Sequence, residues 1–292
     1  MPLTTTKEML LQAYRGGYAV PAFPAHHLEI VKAVVNAAEE MGSPVILQTT
    51  PATIDHVGVE YLASMVRVAA EQATVPVALH LDHGNSFDTV ARCLGAGYTS
   101  VMIDGSRLPF EENVALTEKV MELAHAVGVP VEAELGTIGG TEEGTNTGGY
   151  TDPATAETFV RRTGVNFLAP AFGTAHGVYR GEIRLDLKRL ASISQRTGIP
   201  LVMHGASGVP QEDLRRCIRR GISKINFSTE LKKAFAEELR SFLTEHPGES
   251  DPRKILRSAR EAVKKVAMEK IAWIREDTSR ISTRNRGKGD LS

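Results

Sequence analysis

The stretch PVALHLDHG, residues 76–84, decides the fold of this chain. A proline opens it, an apolar run follows, and it closes on His80, Asp82 and His83. A short apolar run bounded by turn signals reads as a buried strand. Similar β-rich runs lie at 20–23, 44–49, 100–104, 129–134, 167–171, 200–205 and 224–229. The segments between them have helical spacing. In 28–42, Leu28, Val31, Val34 and Val35 recur at intervals of three and four, as on one face of an amphipathic helix. The same holds near 54–73, 86–97, 109–127, 153–164, 186–198, 210–220 and 229–246. Gly42-Ser43-Pro44 and Gly198-Ile199-Pro200 mark turns from helix to strand. The glycine supplies a left-handed cap and the proline stops the helix.

Strands alternating with helices eight times over predict an α/β fold, a single parallel (β/α)8 (TIM) barrel. Two extra helices flank it, near 4–16 and 252–275. The chain reads as one domain over 1–278, with a tail at 279–292 rich in Arg, Gly and Ser that is expected to be disordered. The competing architecture is a doubly wound open sheet, which carries a Gly-rich turn after its first strand. Here that position reads Pro24-Ala25-His26-His27. One segment breaks the rhythm: 136–150 holds many glycines and no periodic pattern. A loop this long is a functional lid or a floppy surface loop, and its glycines favour the lid.

The bulk composition excludes several classes. The 292 residues are 42% hydrophobic and 24% charged, with net charge −1. No basic stripe follows a phosphodiester backbone, so nucleic acid is not expected as a partner. No apolar run reaches the roughly 20 residues of a membrane span. The first residues carry no apolar signal segment. Cys93 and Cys217 are isolated, which fits a reducing compartment. A cytoplasmic protein is expected.

In such a barrel the chemistry sits at the C-terminal ends of the strands. Strand 3 ends in His80, Asp82 and His83, strand 4 in Asp104, and strand 5 in Glu132 and Glu134. His176 follows strand 6, His204 ends strand 7, and Asn226, Ser228 and Thr229 lie on strand 8. Three imidazoles with an open fourth position describe a catalytic zinc site, and His83, His176 and His204 can meet over the mouth. Each histidine taken alone is equally a hydrogen-bonding residue. His80, facing inward with Asp82, is expected to orient other groups. Gly205-Ala-Ser-Gly208 and Asn226-Phe-Ser-Thr229 offer free amides and hydroxyls where barrels often bind phosphate. Ordinary turn and N-cap roles are the alternative.

These strings resemble the class II, zinc-dependent ketose-bisphosphate aldolases of the tagatose- and fructose-bisphosphate type. The resemblance runs from Tyr18 to about Glu276. It rests on HLDHG (80–84), SVMIDGS (100–106), VEAELG (131–136) with GG at 139–140, GTAHG (173–177), HGASG (204–208) and KINFST (224–229), in that order. It implies cleavage of a phosphorylated ketose to dihydroxyacetone phosphate and glyceraldehyde 3-phosphate. By resemblance, His83, His176 and His204 hold one zinc ion. Glu134 with Asp104 forms a second metal-facing position, for a further divalent ion. Gly177 and Gly205 can lend carbonyls to a monovalent cation. Asp82 is implied as the acid/base at the C4 hydroxyl, Glu142 in the lid as the base at C3, and Asn226 as the residue that holds the enediolate. Gly177, Gly205, Ser207, Ser228 and Thr229 would cradle the phosphate of dihydroxyacetone phosphate, and Arg253 would grip the distal phosphate. A homodimer or homotetramer is implied as well. Pro24 and His27 depart from the family, which usually has Asn at both positions, so the aldehyde half of the substrate is left open.

Each role has a chemical reason. Breaking C3–C4 leaves negative charge beside the C2 carbonyl, and a Lewis acid there accepts it. The C4 hydroxyl must lose a proton, and a second group must exchange the C3 proton under a lid that excludes water. The alternative, a Lys Schiff base, needs a lysine at a strand's C-terminal end. Lys224 is read here as starting strand 8, at the opposite end. Three competing functions remain open: a related aldolase acting on another phosphorylated ketose, such as a phosphorylated deoxy-keto-gluconate; a zinc hydrolase; and a sugar-phosphate sensor. The hydrolase often carries His-x-His on strand 1, absent here.

Overall fold

A computed structural model describes residues 2–140, 149–177, 179 and 181–275. The eight barrel strands are β1 (Val20–Pro24), β2 (Val45–Thr49), β3 (Val77–Gly84), β4 (Ser100–Ile103), β5 (Val131–Leu135), β6 (Phe167–Pro170), β7 (Leu201–Met203) and β8 (Ile222–Asn226). Each pairs in parallel with its sequence neighbour, and β8 closes on β1 with Val20 opposite Lys224. The predicted barrel is therefore present.

The expected helix at 54–73 is two helices, α3 (Pro51–Val57) and α4 (Val59–Gln72), broken at Gly58 with φ 95°. The helices that follow are α5 (Phe87–Gly95), α6 (Phe110–Ala126), α7 (Pro153–Thr163), α8 (Leu187–Thr197), α9 (Gln211–Ile218), α10 (Thr229–Glu245) and α11 (Pro252–Ile274). They are preceded by α1 (Thr6–Gly16) and α2 (Leu28–Met41). Side-chain caps start several of them: Ser86, Asp152 and Asp186 each accept a backbone N–H three residues on, satisfying a donor the helix leaves free. Gly42 and Gly198 end α2 and α8 in the left-handed conformation. Among the described residues no helix is long and apolar enough to cross a membrane.

Strand alternation divides the core in two. Outward residues such as Leu79, Leu81, Val101, Ala133 and Ile225 pack under the helices with Val31, Val34, Leu62 and Val66. Inward residues at the lower, N-terminal end, among them Val20, Ile46, Ala78, Phe167 and Val202, close on Met9, Leu10 and Ala13 of α1. Helix α1 thus plugs the bottom, and Thr4 N–H bonds to Val77 O at the start of β3.

Two expectations change. β8 starts at Ile222 and ends at Asn226, so Thr229 opens α10 and Lys224 stands in mid-strand. The segment at 136–150, expected to lack secondary structure, contributes Gly139–Gly140, a two-residue strand pairing with Ala175–His176. Residues 276–292, which include the whole of the predicted tail, lie outside the described residues.

Candidate active site

Alternation along a strand sends consecutive side chains to opposite faces, so Asp82 and His83 should not both face the mouth. A bulge solves this. The β3–β4 register slips between Leu81 and Gly84, and His83 takes φ 50°, the only positive φ of a non-glycine among the described residues. Such strain gathers at functional sites. Gly84 is required next to it, because a Cβ there would lie 2.2 Å from Met102 O.

Around His83 the other two histidines converge. His204 follows β7, and His176 belongs to the short strand outside the barrel sheet rather than to the end of β6. The ring of His83 lies 4.7 Å from that of His204 and 5.0 Å from that of His176, centre to centre. One nitrogen of each lies within 4.8 Å of the others. His83 Nδ1 is 2.8 Å from Asp104 Oδ2, and His204 Nε2 is 2.8 Å from Glu132 Oε1. Carboxylates accept from those nitrogens, which leaves His83 Nε2 and His204 Nδ1 facing each other at 3.0 Å. This is the carboxylate–histidine arrangement that presents lone pairs to a metal.

The electrostatics favour a cation here. Burial alone would lower the His83 pKa, yet the charges of Asp82, Asp104 and Glu134 and the Asp104 hydrogen bond raise it to about 10. The carboxylates that hold a proton on His83 would equally hold a metal ion beside it. His176 is pushed down to about 3 by burial and by the two other histidines, so it stands neutral as a ligand must. Glu134 is raised to about 8, by burial and then by Asp104. Its Oε2 is buried without a hydrogen bond and lies 3.8 Å from His83 Nδ1. His83, Asp104 and Glu134 form a second convergent set. In this structure Asp104 is spent on His83 and on Ser106 N–H, which donates to its Oδ1.

Asp82 sits beside this cluster. Gln48 Nε2 donates to its Oδ2 at 3.0 Å and Asn226 Nδ2 to its Oδ1 at 3.1 Å. Burial opposes its charge, but His83, with His204, Lys224 and His80 around it, holds its pKa below the usual carboxylate range. The carbonyl oxygens of both amides are buried without partners, so two acceptors beside the carboxylate remain for hydroxyl donors.

A family model, fructose-bisphosphate aldolase class-II, matches residues 4–278. The chain belongs to the class II fructose-bisphosphate aldolases. It is therefore a lyase. Two solved structures agree. The YdjI aldolase from Escherichia coli K12 is 35% identical with TM-score 0.85, over 95% of this chain and 99% of that one. A putative fructose-1,6-biphosphate aldolase from Coccidioides immitis is 31% identical with TM-score 0.83, over 94% and 97%. A fructose-bisphosphate aldolase from Campylobacter jejuni, 24% identical over 94% and 95% with TM-score 0.80, shares the fold.

The site of this aldolase also contains residues that the sequence pattern did not single out. Glu132, Lys224 and Gln48 were given no role, yet all three are buried at the site. Their signal was available: Glu132 stands two before Glu134, and Lys224 two before Asn226, each pair on one strand face. Lys224, read as starting its strand at the far end, instead reaches into the barrel, with Nζ 2.8 Å from Glu132 Oε2 and 3.2 Å from His80 Nε2. The earlier placement failed because the strand begins two residues sooner. Fully buried and bonded to a carboxylate, Lys224 still offers no accessible amine for a Schiff base.

The phosphate-type loops of the aldolase are tied together. Ser207 Oγ accepts from Ser228 N–H at 3.4 Å, and Glu230 Oε1 accepts from Gly208 N–H at 3.0 Å. These two amides were expected to be free and are engaged. Gly205 has φ 64°, and a Cβ on it would meet Ala175 O at 2.4 Å, so the backbone passes close to the His176 strand. Tyr179 OH clamps the same two strands, donating to Gly205 O and accepting from Ala175 N–H. Gly177 follows His176 with φ 88°, and Thr229 opens α10. Arg253 is 86% exposed and clasps Asp251, its own N-cap. Pro24 ends β1 and is buried. His27 lies against Phe235, with ring centres 4.8 Å apart. Glu142 falls outside the described residues, three positions after Gly139, whose strand pairs with that of His176.

Proposed function

We propose that this aldolase holds a zinc ion with His83, His176 and His204. With it, the enzyme reversibly cleaves a ketose 1,6-bisphosphate of tagatose or fructose type to dihydroxyacetone phosphate and glyceraldehyde 3-phosphate. The observation that carries the reading is the pair of ring nitrogens, His83 Nε2 and His204 Nδ1, turned to each other by Asp104 and Glu132. When bound, zinc supplies Lewis-acid polarisation of the ketose carbonyl. Glu134, with its free oxygen, suits a second cation position.

Asp82 removes the C4 hydroxyl proton as C3–C4 breaks. The amides of Gln48 and Asn226 aim it, and their free oxygens are placed for substrate hydroxyls. Glu142 exchanges the C3 proton. Gly177, Gly205, Ser207, Ser228 and Thr229 seat the near phosphate at the start of α10, where backbone donors favour an anion. Arg253 takes the far phosphate once it leaves Asp251. Pro24, which has no N–H, and His27, tilted against Phe235, favour a second reading in which the aldehyde half is different, as in a phosphorylated deoxy-keto-gluconate. The enzyme is expected to work as a cytoplasmic homodimer or homotetramer.

Dialysis against a chelator should abolish cleavage, and zinc should restore it. A panel of C4 epimers and aldehyde variants then separates the two substrate readings. Full activity without metal, or trapping of substrate on a lysine by borohydride, overturns the zinc mechanism.

A further inference from the structure

The hydrogen bonds inside the barrel join into one line from its plugged bottom to its mouth. In the lower half, Thr6 of α1 donates to Ser100 Oγ at 2.8 Å, Ser100 Oγ lies 2.8 Å from His80 Nδ1, and His80 Nε2 lies 3.2 Å from Lys224 Nζ. In the upper half, Lys224 Nζ meets Glu132 Oε2 at 2.8 Å, and Glu132 Oε1 meets His204 Nε2 at 2.8 Å. His80, Ser100, Glu132, Lys224 and His204 are all 0% exposed, so bulk solvent does not compete for these bonds.

An ammonium group donates and never accepts. We propose that Lys224 is a positioning residue for the metal centre: as the donor at the middle of this line, it sets the direction of the bonds on both sides and so presents the Nδ1 lone pair of His204 at the mouth. Downward, His80 Nε2 must accept from Lys224. The single ring proton of His80 is then on Nδ1 and is donated to Ser100. Upward, Glu132 is held as a two-sided acceptor, with Oε2 on the ammonium and Oε1 on His204. His204 must therefore carry its proton on Nε2, and Nδ1 is left as the lone pair aimed at His83 Nε2. Without the ammonium, nothing fixes Glu132 with Oε1 on His204, and the ring is free to take the other tautomer or to turn.

The proposal rests on the metal reading of the site, and the two fail separately: a wild-type protein that takes up no zinc sinks the metal reading. The test is Lys224→Met in the full chain. Zinc affinity is measured by competition with a chromogenic chelator, and the tautomer of His204 in metal-free protein by nitrogen-15 NMR of labelled histidine. Zinc affinity is expected to fall about 10- to 100-fold, the usual loss when a group behind a ligand is removed, and the Nε2–H signature of His204 should be lost. A folded variant with lower thermal stability but unchanged zinc affinity and tautomer makes Lys224 merely structural and overturns the proposal. Should Lys224→Met not fold, the double variant Glu132→Gln/Lys224→Met takes its place. Its amide oxygen can still accept from His204, and its amide nitrogen can donate towards His80, since Glu132 Oε2 already lies 3.6 Å from His80 Nε2. That variant should fold, keep the Nε2–H signature and bind zinc within a few-fold of wild type. Loss of the signature, or failure to fold, overturns the proposal.

Discussion

The lower and upper halves of the barrel interior are made by the same alternation of side chains, and they do opposite things. Below, Val20, Ile46, Ala78, Phe167 and Val202 meet Met9, Leu10 and Ala13 in an apolar plug. Above, Gln48, Asp82, Glu134, His204 and Asn226 are buried polar groups, several with atoms left unpaired. The first half lowers the free energy of the fold by burying apolar area. The second raises it, because buried polar groups without partners cost free energy. Stability and chemistry are thus separated along the barrel axis, and substitutions in the two halves should affect different measurements.

The largest effect is expected from Asp82→Ala, which removes the acid/base group. Cleavage should fall about 10²- to 10⁴-fold, the usual contribution of such a group. Exchange of the dihydroxyacetone phosphate proton with solvent should be largely spared, whereas Glu142→Ala should slow that exchange. Equal effects of both on exchange, followed by NMR in heavy water, would contradict the assignment.

Next comes the plug. Leu10 is fully buried, and Leu10→Ala should destabilise the protein by about 2–5 kcal/mol, read from urea unfolding. Zinc affinity and turnover per folded molecule should not change. A loss of turnover without loss of stability would break the separation between the halves.

Arg253→Ala should have the smallest effect. Arg253 must exchange Asp251 for substrate, so the loss on a 1,6-bisphosphate should sit near the lower end for a charged hydrogen bond, about 1.5 kcal/mol, seen in kcat/KM. Proton exchange on dihydroxyacetone phosphate should be unchanged. A variant that cleaves the bisphosphate as well as wild type removes the arginine from the site and strengthens the second substrate reading.

Much of this was legible in the chain itself. Strand and helix periods, the glycine caps and the run of polar residues at strand ends are local patterns, each carried by a few neighbouring residues. They sufficed for the barrel and for the convergence of His83, His176 and His204. The bulge at His83 was not legible, because alternation places Asp82 and His83 on opposite faces and only pairing with β4 reverses that. The break at Gly58 was missed for a similar reason: the apolar spacing of α3 and α4 runs through it.

By itself, then, the sequence determined the order of the elements, the alternation of each strand between its two faces, and the run of polar residues at the strand ends. These follow from the geometry of one residue to the next. Only the tertiary structure decided which way the protons point. His80 and Lys224 are 144 residues apart and Glu132 and His204 are 72 apart, so no local pattern records their bonds. Their direction is settled where the closed barrel excludes water and each buried donor must find its acceptor among the strands around it.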